Sequence, residues 1–379
     1  MKIRFPDGAY TLRADPLAPR KPKSPFNRVA FAAAHVVADA LSASDPSGPP
    51  AIDWDRTLAY RRHLLDLGFG IAEAMDTSQR GMGLDWASAL ELIKRSLADA
   101  GPRKDLIYSG CGTDQLPPNE ARNLDDVVKA YLEQLEAIQK LGGRIILMAS
   151  RALVRVAKSP DDYVKVYSRV LSEAEHPVIL HWLGEMFDPA LKGYWGSTAF
   201  KPAMETCLAA IAANVAKVDG IKISLLDDGK EITMRRRLPG TVKMYTGDDF
   251  NYPALIAGDE KGYSHALLGI FDAIAPAASA ALAALAKGDM KKYEKLMAPT
   301  VPLSRLIFRA PTQYYKTGIV FLAWLNGHQD HFVMVNGAQA MRPLPYFIDI
   351  FKLADEARLL HDPELAVKRM KKLLSVYGT

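Results

Sequence analysis

The sequence predicts an α/β protein, a (β/α)8 barrel with an N-terminal arm and additional C-terminal helices. Short apolar or β-rich runs alternate with longer stretches of helical period, which is typical of βα units and a parallel sheet. No Gly-x-Gly-x-x-Gly follows any strand candidate, so an open dinucleotide-binding sheet has no support. A chain of 379 residues is long enough for one large barrel. The eight strand candidates are residues 28–37, 68–75, 105–110, 144–149, 177–182, 220–225, 242–247 and 262–265.

The stretches between the strand candidates carry helix signals. Apolar residues recur at three- and four-residue spacing over 54–67, 85–98 and 124–141. Residues 161–174 follow Ser159-Pro160, an N-cap and the first-turn proline that helices favour. We therefore expect a helix after most strands.

Three segments fall outside this repeat. The first 27 residues contain several prolines and predict an extended arm. Residues 187–206 predict a long loop or lid, in which Tyr194 and Trp195 could close over substrate or serve a subunit interface. The predicted division is an arm at 1–27, the barrel at 28–293 and a C-terminal helical extension at 294–379.

Composition excludes several classes of protein. The net charge is +5 from 48 basic and 43 acidic residues, without a basic stripe, so nucleic acid is not an expected partner. The densest basic run, Met234-Arg-Arg-Arg237, reads as a helix end that could bind an anion. Two cysteines without CxxC spacing indicate a reducing compartment. Because no apolar leader or 18-residue apolar run occurs, we expect a cytoplasmic protein that does not contact membrane.

Lys222 is the most informative single residue, because it is the only charge in the apolar run Ile221-Lys-Ile-Ser-Leu-Leu226. Burying an unpaired ammonium is costly, and a lowered pKa relieves the cost by leaving a neutral amine. Such an amine can attack a carbonyl and form a Schiff base. The alternative is that Lys222 caps the strand and reaches solvent, or pairs with Asp227 or Asp228.

Polar side chains cluster at the predicted strand ends, where barrels of this kind place their active sites. About half of them are expected by chance, since strands always meet polar loops. In chain order they are His35, Asp76, Thr77, Ser78, Ser109, Cys111, Ser150, Arg151, His181, Lys222, Ser224, Asp248, Asp249, Ser264 and His265.

Two mechanisms could use this ring of side chains. In the first, Lys222 forms an imine that serves as an electron sink while a carbon–carbon bond forms or breaks. In the second, a divalent metal polarises a carbonyl or activates water. Its candidate ligands are His35, Glu73, His181, Asp248 and His265. Spacing does not decide between the two, but a lysine on the sixth strand suits only the first.

Over residues 28–325 the chain resembles the dihydrodipicolinate synthase and N-acetylneuraminate lyase family, class I pyruvate aldolases on a (β/α)8 barrel. The motifs that carry the resemblance are Ile52-Asp-Trp-Asp55, Ile221-Lys-Ile-Ser224, Tyr245-Thr-Gly-Asp-Asp249 and Gly258-Asp-Glu-Lys-Gly262. The resemblance implies that Lys222 is the imine-forming lysine. It also implies a homodimer or homotetramer.

The departures from the family pattern concern the proton relay and the carboxylate site. Met75-Asp-Thr-Ser-Gln79 stands where the family has Gly-Thr-Thr-Gly-Glu, so Thr77 is kept and Asp76 replaces a threonine. His181 occupies the position of the family's general acid/base tyrosine, and a histidine can take over that role. Ser150-Arg151-Ala152 replaces the tyrosine pair of strand 4. A carboxylate at position 76 would repel a keto-acid carboxylate, which favours a neutral or hydroxylated carbonyl substrate.

These observations together predict a carbon–carbon lyase that acts on a small carbonyl compound, a keto acid or a sugar derivative, without cofactor or metal. The predicted catalytic residues are Lys222, His181 and Thr77. The predicted substrate-binding residues are Asp76, Ser78, His35, Ser150, Arg151, Asp249 and His265. The alternatives are a metal-dependent isomerase or aldolase using His35, His181 and His265, and a barrel that binds a metabolite without catalysis. Gly327-His-Gln-Asp-His-Phe332 resembles a metal box but lies beyond the barrel, where a polar helix connection is the better interpretation.

Overall fold

The computed structural model describes residues 1–43, 45 and 48–379. Eight parallel strands close into a barrel in the chain order expected for a (β/α)8 fold, which confirms the predicted fold class. A separate two-stranded hairpin, β1 (Lys2–Phe5) and β2 (Gly8–Thr11), precedes it. The barrel strands are β3 (Ala30–Ala33), β4 (Gly70–Glu73), β5 (Ile107–Cys111), β6 (Arg144–Leu147), β7 (Val178–Leu183), β8 (Val218–Ser224), β9 (Lys243–Thr246) and β10 (His265–Leu268).

Helices surround the barrel and continue beyond it. Amphipathic sequences and side-chain caps explain several of them, for example the cap that Asp53 provides to the backbone N–H of Arg56. The helices that follow strands β3 to β9 are α1 (Trp54–Asp66), α2 (Trp86–Ala100), α3 (Leu124–Lys140), α4 (Arg151–Val156), α5 (Pro160–Ser172), α6 (Phe200–Ala212), α7 (Asp228–Arg235) and α8 (Tyr252–Ala257). After β10 come α9 (Ile270–Ala273), α10 (Ala275–Leu285), α11 (Met290–Met297), α12 (Thr300–Ile307), α13 (Tyr315–Leu325), α14 (Leu344–Glu356) and α15 (Pro363–Val376).

The inside of the barrel is filled by apolar and aromatic side chains. They are Phe31, Ala33, Ala72, Met75, Ile146, Ile179, Tyr245 and Leu267. Side chains alternate between the two faces of a strand, so His181, two residues after Ile179, also faces inward. Lys222 pairs in register with His181 on one side and with Tyr245 on the other. Its side chain therefore points into the barrel as well.

The N-terminal residues differ in part from the predicted extended arm. The β1–β2 hairpin packs on the C-terminal helices, where Tyr10 donates a hydrogen bond of 2.8 Å to Asp355 and Lys352 lies 2.7 Å from Asp7. Leu17 N–H donates to the carbonyl of Arg358 over 2.9 Å. The predicted boundary at residue 293 falls inside α11.

The segment after β7 is shorter and more ordered than the predicted lid, because α6 begins at Phe200. Tyr194 and Trp195 are buried against α5, where the two hydroxyls of Tyr194 and Tyr167 are 2.9 Å apart. The rings of Trp195 and Tyr167 are separated by 4.6 Å. This pair therefore packs in the protein interior and does not close over a substrate.

No helix within the described residues has both the length and the apolar character needed to span a membrane.

Candidate active site

Lys222 is only 5% exposed and lies on β8. Burial lowers its pKa below the ordinary value for a lysine, and the negative charges of Asp76 and Asp249 offset this shift only in part. Glycine at position 247 makes room for the side chain, since a Cβ there would lie 2.8 Å from Lys222 Cε. Burial thus makes the neutral amine easier to form here than in an exposed lysine.

His181 lies beside Lys222 on β7 and is buried. Burial lowers its pKa well below the ordinary value, and the charge of Lys222 acts in the same direction. Its Nε2 is 3.1 Å from the hydroxyl of Ser224, which follows Lys222 on the same face of β8. His181 is therefore a neutral imidazole that can exchange a proton with a hydroxyl group.

Asp76 and Thr77 form one hydrogen-bonded group with Tyr315. The two predicted residues lie in a 3-10 turn directly after β4, and Tyr315 is the first residue of α13. The Tyr315 hydroxyl donates to Asp76 Oδ2 over 2.7 Å and lies 2.7 Å from Thr77 Oγ1. Since the phenol has a single hydrogen, Thr77 is the donor in the second bond. Thr77, Tyr315 and Asp76 therefore form a continuous chain of hydrogen bonds.

The charge state of Asp76 depends on its neighbours. Burial opposes its ionisation, but the charges of Lys222 and Lys316 and the Tyr315 hydrogen bond lower its pKa below the ordinary value. The same burial raises the pKa of Tyr315. At neutral pH the chain thus ends in a carboxylate beside the amine of Lys222.

Asp249 is the second carboxyl group near Lys222. Burial raises its pKa to about 8, although a backbone hydrogen bond from Ile270 N–H (2.8 Å) and the charge of Lys222 oppose the shift. Asp249 therefore carries its proton at neutral pH while Asp76 does not. Two carboxyl groups with opposite shifts can serve as an acid and a base.

A cavity of about 880 Å³ opens at the carboxyl ends of the barrel strands. Its polar lining includes Asp76, Arg80, Asp114, Arg151, His181, Asp188 and Lys316. Lys222 does not line this cavity, but its neighbours Asp76 and His181 do. A small-molecule substrate bound in the cavity would lie next to Asp76 and His181, the neighbours of Lys222.

Two of the predicted substrate-binding residues make hydrogen bonds with the backbone close to the site, whereas a third lines the cavity. Ser78 donates to the carbonyl of Met75 over 2.7 Å and stabilises the turn. Ser150 caps α4 through a 3.0 Å hydrogen bond from Leu153 N–H. Arg151 does line the cavity, and its Nε donates to Asp188 over 2.6 Å.

The two remaining predicted histidines lie apart from Lys222. His35 Nδ1 is 2.7 Å from Asp272, outside the cavity. His265 begins β10 instead of ending the eighth strand, and its Nδ1 accepts a hydrogen bond from Val29 N–H over 2.9 Å. The prediction for His265 is therefore wrong about its end of the barrel.

The metal-ligand sets that the sequence suggested do not come together. His35, His181 and His265 lie in three different places, and Glu73 is held by Arg61 over 2.8 Å. Asp248 accepts hydrogen bonds from Phe250 N–H and Asn251 N–H in the turn after β9. Within the described residues, no three His, Cys, Asp or Glu side chains are arranged to hold a metal ion.

Sequence reasoning missed Tyr315 and Lys316, which α13 contributes from outside the barrel repeat. A usable signal was present, because Lys316 is the only charge in the apolar helix Tyr315–Leu325. This is the argument that identifies Lys222 as unusual, applied to a second lysine.

Comparison with solved structures gives the same barrel at low sequence identity. A prophage protein of the dihydrodipicolinic acid synthase family from E. coli K12, solved with pyruvate, is 13% identical, with a TM-score of 0.67 over 88% of this chain and 99% of its own. Dihydrodipicolinate synthase from Acinetobacter baumannii, also with pyruvate, is 16% identical, with a TM-score of 0.64 over 88% and 99%. The synthase from Aquifex aeolicus is 12% identical, with a TM-score of 0.61 over 93% and 98%. The resemblance seen in the sequence is thus confirmed at the level of the fold.

Sequence comparisons give a different kind of result. A search of curated proteins finds no significant match. A family model described as "Protein of unknown function (DUF993)" matches residues 6–379. The chain therefore belongs to the DUF993 family, with a barrel shared with dihydrodipicolinate synthases.

Proposed function

We propose that this protein is a carbon–carbon lyase of the Schiff-base type, with Lys222 as the nucleophile. The observation that carries the proposal is a buried lysine with a lowered pKa, flanked by the carboxylate of Asp76 and the carboxylic acid of Asp249. A lysine amine activated by burial is a recognised nucleophile toward carbonyl carbon. The substrate is a small carbonyl compound, a keto acid or a sugar derivative.

The reaction begins when the neutral Nζ of Lys222 attacks the substrate carbonyl carbon. A proton passes from nitrogen to oxygen, and the carbinolamine then loses water to give a protonated imine. His181 transfers the proton in this step, and Asp249 supplies a proton to the departing water.

Cleavage follows when a base removes the proton from the substrate's β-hydroxyl group. The carbon–carbon bond breaks, its electron pair enters the imine to form an enamine, and a carbonyl fragment leaves. Asp76 is the base, and the Thr77–Tyr315 chain exchanges protons with it. Protonation of the enamine carbon and hydrolysis then release the second fragment and restore the amine.

Borohydride trapping tests this proposal directly. The protein is incubated with single 2-keto acids, ketoses and aldehydes, reduced with borohydride, and analysed by intact mass and peptide mapping. We expect one adduct, on the peptide that contains Lys222, and we expect Lys222→Met to abolish it. Lys192→Met is the matched control, because Lys192 is an exposed lysine in the segment after β7.

Two results would contradict the proposal. An adduct on Lys316 alone would move the nucleophile to α13. No adduct across the panel, together with ligand-dependent stabilisation, would favour a barrel that binds a metabolite without turnover.

A further inference from the structure

Positively and negatively charged side chains are neighbours around the cavity. The carboxyl groups of Asp249 and Asp76 act to raise the pKa of Lys222. The amines of Lys222 and Lys316 act to lower the pKa of Asp76. Asp76 and Asp188 act to raise the pKa of Lys316, whereas Arg151 acts to lower it. Lys222 and Lys316 thus share Asp76 as an electrostatic neighbour, and each also has a second carboxyl group nearby.

Lys316 has an unusual position for a lysine. It is 4% exposed, and its Nζ donates to the backbone carbonyl of Gln313 over 3.1 Å. The Nζ also lies 4.5 Å from the ring centroid of Tyr315. Among the described residues no carboxylate forms an ion pair with it, although it lines the cavity. A buried cation without an ion-pair partner is costly, and an anion in the cavity would reduce that cost.

Arg151 lies on the same side of the cavity. Asp188 engages only its Nε, and the side chain is 45% exposed. Its charge acts on Lys316 and disfavours a second positive charge there. The two cations therefore repel each other when no anion lies between them.

Arg80 is the third basic residue of the lining, and its guanidinium donors are already engaged in hydrogen bonds within the protein. It donates to both carboxylate oxygens of Asp114, to Gln134 and to the carbonyls of Ala74 and Gly110. Arg80 thus holds the loops together, and among the described Lys and Arg side chains of the lining, Lys316 and Arg151 keep donors available.

We propose that Lys316 and Arg151 form a subsite for the carboxylate or phosphate group of the substrate, at the end away from the carbonyl that reacts. This inference rests on the proposed function and narrows its substrate class. Asp76 is an electrostatic neighbour of Lys222, so a carboxylate directly beside the reacting carbonyl is disfavoured. The preferred substrate is a carbonyl compound that is uncharged at its reacting end and anionic at the other.

The first test measures anion binding without any reaction. Inorganic phosphate and malonate are titrated into wild type, Lys316→Met, Lys316→Arg and the control Lys192→Met, with thermal melting and calorimetry as readouts. We expect both anions to raise the melting temperature of wild type, Lys316→Arg and the control. Lys316→Met should bind about 10- to 100-fold more weakly, as expected for loss of a charged hydrogen bond. Because a buried unpaired amine is removed, this variant should melt no lower than wild type when no anion is present.

The second test uses matched substrates in the trapping reaction. A ketose is compared with its terminal phosphate and with the corresponding terminal acid, and the yield of adduct on Lys222 is measured. We expect at least one anionic form to exceed the neutral form about tenfold or more in wild type, and the ratio to fall toward one in Lys316→Met. The preferred form identifies phosphate or carboxylate as the natural group.

The outcomes separate this inference from the proposed function. Equal adduct yields from neutral and anionic forms in wild type would overturn the subsite and leave the Lys222 mechanism standing. Anion binding that disappears in Lys316→Met, without an adduct from any compound, would support the subsite and count against the lyase. Anion binding that is unchanged in Lys316→Met would overturn the subsite.

Discussion

The cavity at the barrel mouth and a histidine cluster outside its lining both bury titratable side chains, but they do so in opposite ways. At the cavity, amines and carboxyl groups alternate, and several of them face open space. The histidine cluster, formed by His35, His63, His328 and His361, is closed by ring packing, with centroids of His63 and His328 4.7 Å apart. The Nε2 atoms of His35, His63 and His361 are buried without a hydrogen-bond partner.

The difference shows how burial can serve reactivity or packing. In the cavity, neighbouring charges of opposite sign counter the effect of burial on the pKa values of Asp76, Lys222 and Lys316. In the histidine cluster, burial lowers the pKa of His361 to about 4 and that of His328 to about 2, with further lowering from the neighbouring histidines. Those rings stay neutral and act as aromatic packing groups. Changes in the cavity should therefore alter activity, and changes in the histidine cluster should alter acid stability.

Replacing Lys222 with Met should have the largest effect. The variant keeps the length of the side chain but lacks the amine, so imine formation is impossible. We expect the turnover of any substrate found by trapping to fall by about 10³-fold or more. The melting temperature should not decrease, because a costly buried amine is removed. Steady-state kinetics and thermal melting measure the two effects, and retained turnover would break the assignment of the cavity to catalysis.

Replacing Tyr315 with Phe interrupts the hydrogen-bond chain between Thr77 and Asp76 while keeping the ring that stacks on Phe308 at 4.3 Å. We expect turnover to fall by about 10- to 100-fold. The acidic limb of the pH–rate profile should move to higher pH, because Asp76 loses a hydrogen-bond donor that lowers its pKa. Tyr314→Phe is the matched control on the neighbouring residue. An unchanged pH profile in Tyr315→Phe would show that the phenol only supports packing.

Replacing Gly247 with Ala should affect both activity and stability. The new Cβ would lie 2.6 Å from the carbonyl oxygen of Ile223 and 2.8 Å from Lys222 Cε, so backbone and lysine must shift. We expect a loss of about 1 to 3 kcal/mol in the free energy of unfolding and a reduced yield of Lys222 adduct. Urea unfolding and borohydride trapping check the two parts. A fully stable variant with normal trapping would mean that the lysine has more room than these distances allow.

Replacing His361 with Leu should change only the response to acid. The pKa of His361 is lower in the folded chain than in the unfolded chain, so the folded state binds fewer protons. Its contribution to stability is complete above about pH 6.5 and is lost as the pH falls toward 4. Between pH 7 and 4.5, wild type should lose about 1 to 3 kcal/mol more unfolding free energy than the Leu variant. Equal losses in the two proteins, measured by urea unfolding, would place the acid sensitivity elsewhere.

Most of the barrel could be predicted from the sequence, because the spacing of apolar residues differs between strands and helices and is visible in short stretches of the chain. The eighth strand shows the limit of this reasoning. Residues 262–265 look β-prone, but the strand that closes the barrel is His265–Leu268, and this small shift moves His265 from one end of the barrel to the other. A register error of a few residues is enough to reverse a functional assignment.

The candidate site includes residues that the sequence analysis named at strand ends and residues of α13 that it did not name. Lys222, His181 and Asp76 were named from their places at strand ends, from the charge of Lys222 in an apolar run and from the family pattern. Tyr315 and Lys316 reach the cavity only because the C-terminal helices pack over the barrel mouth, and no sequence period specifies that contact. The family resemblance offered no counterpart for the relay tyrosine, and it did not point to the phenol from α13 that lies 2.7 Å from Thr77.

The late position of Tyr315 in the chain has a consequence for synthesis on the ribosome. All barrel strands have been translated by Leu268, but the residue that completes the hydrogen-bond chain follows 315 − 268 = 47 positions later. Asp355, the hydrogen-bond partner of Tyr10 in the β1–β2 hairpin, is translated later still. The barrel strands therefore leave the ribosome before α13 does, and the hydrogen bonds from Tyr315 to Thr77 and Asp76 can form only after α13 has emerged and docked.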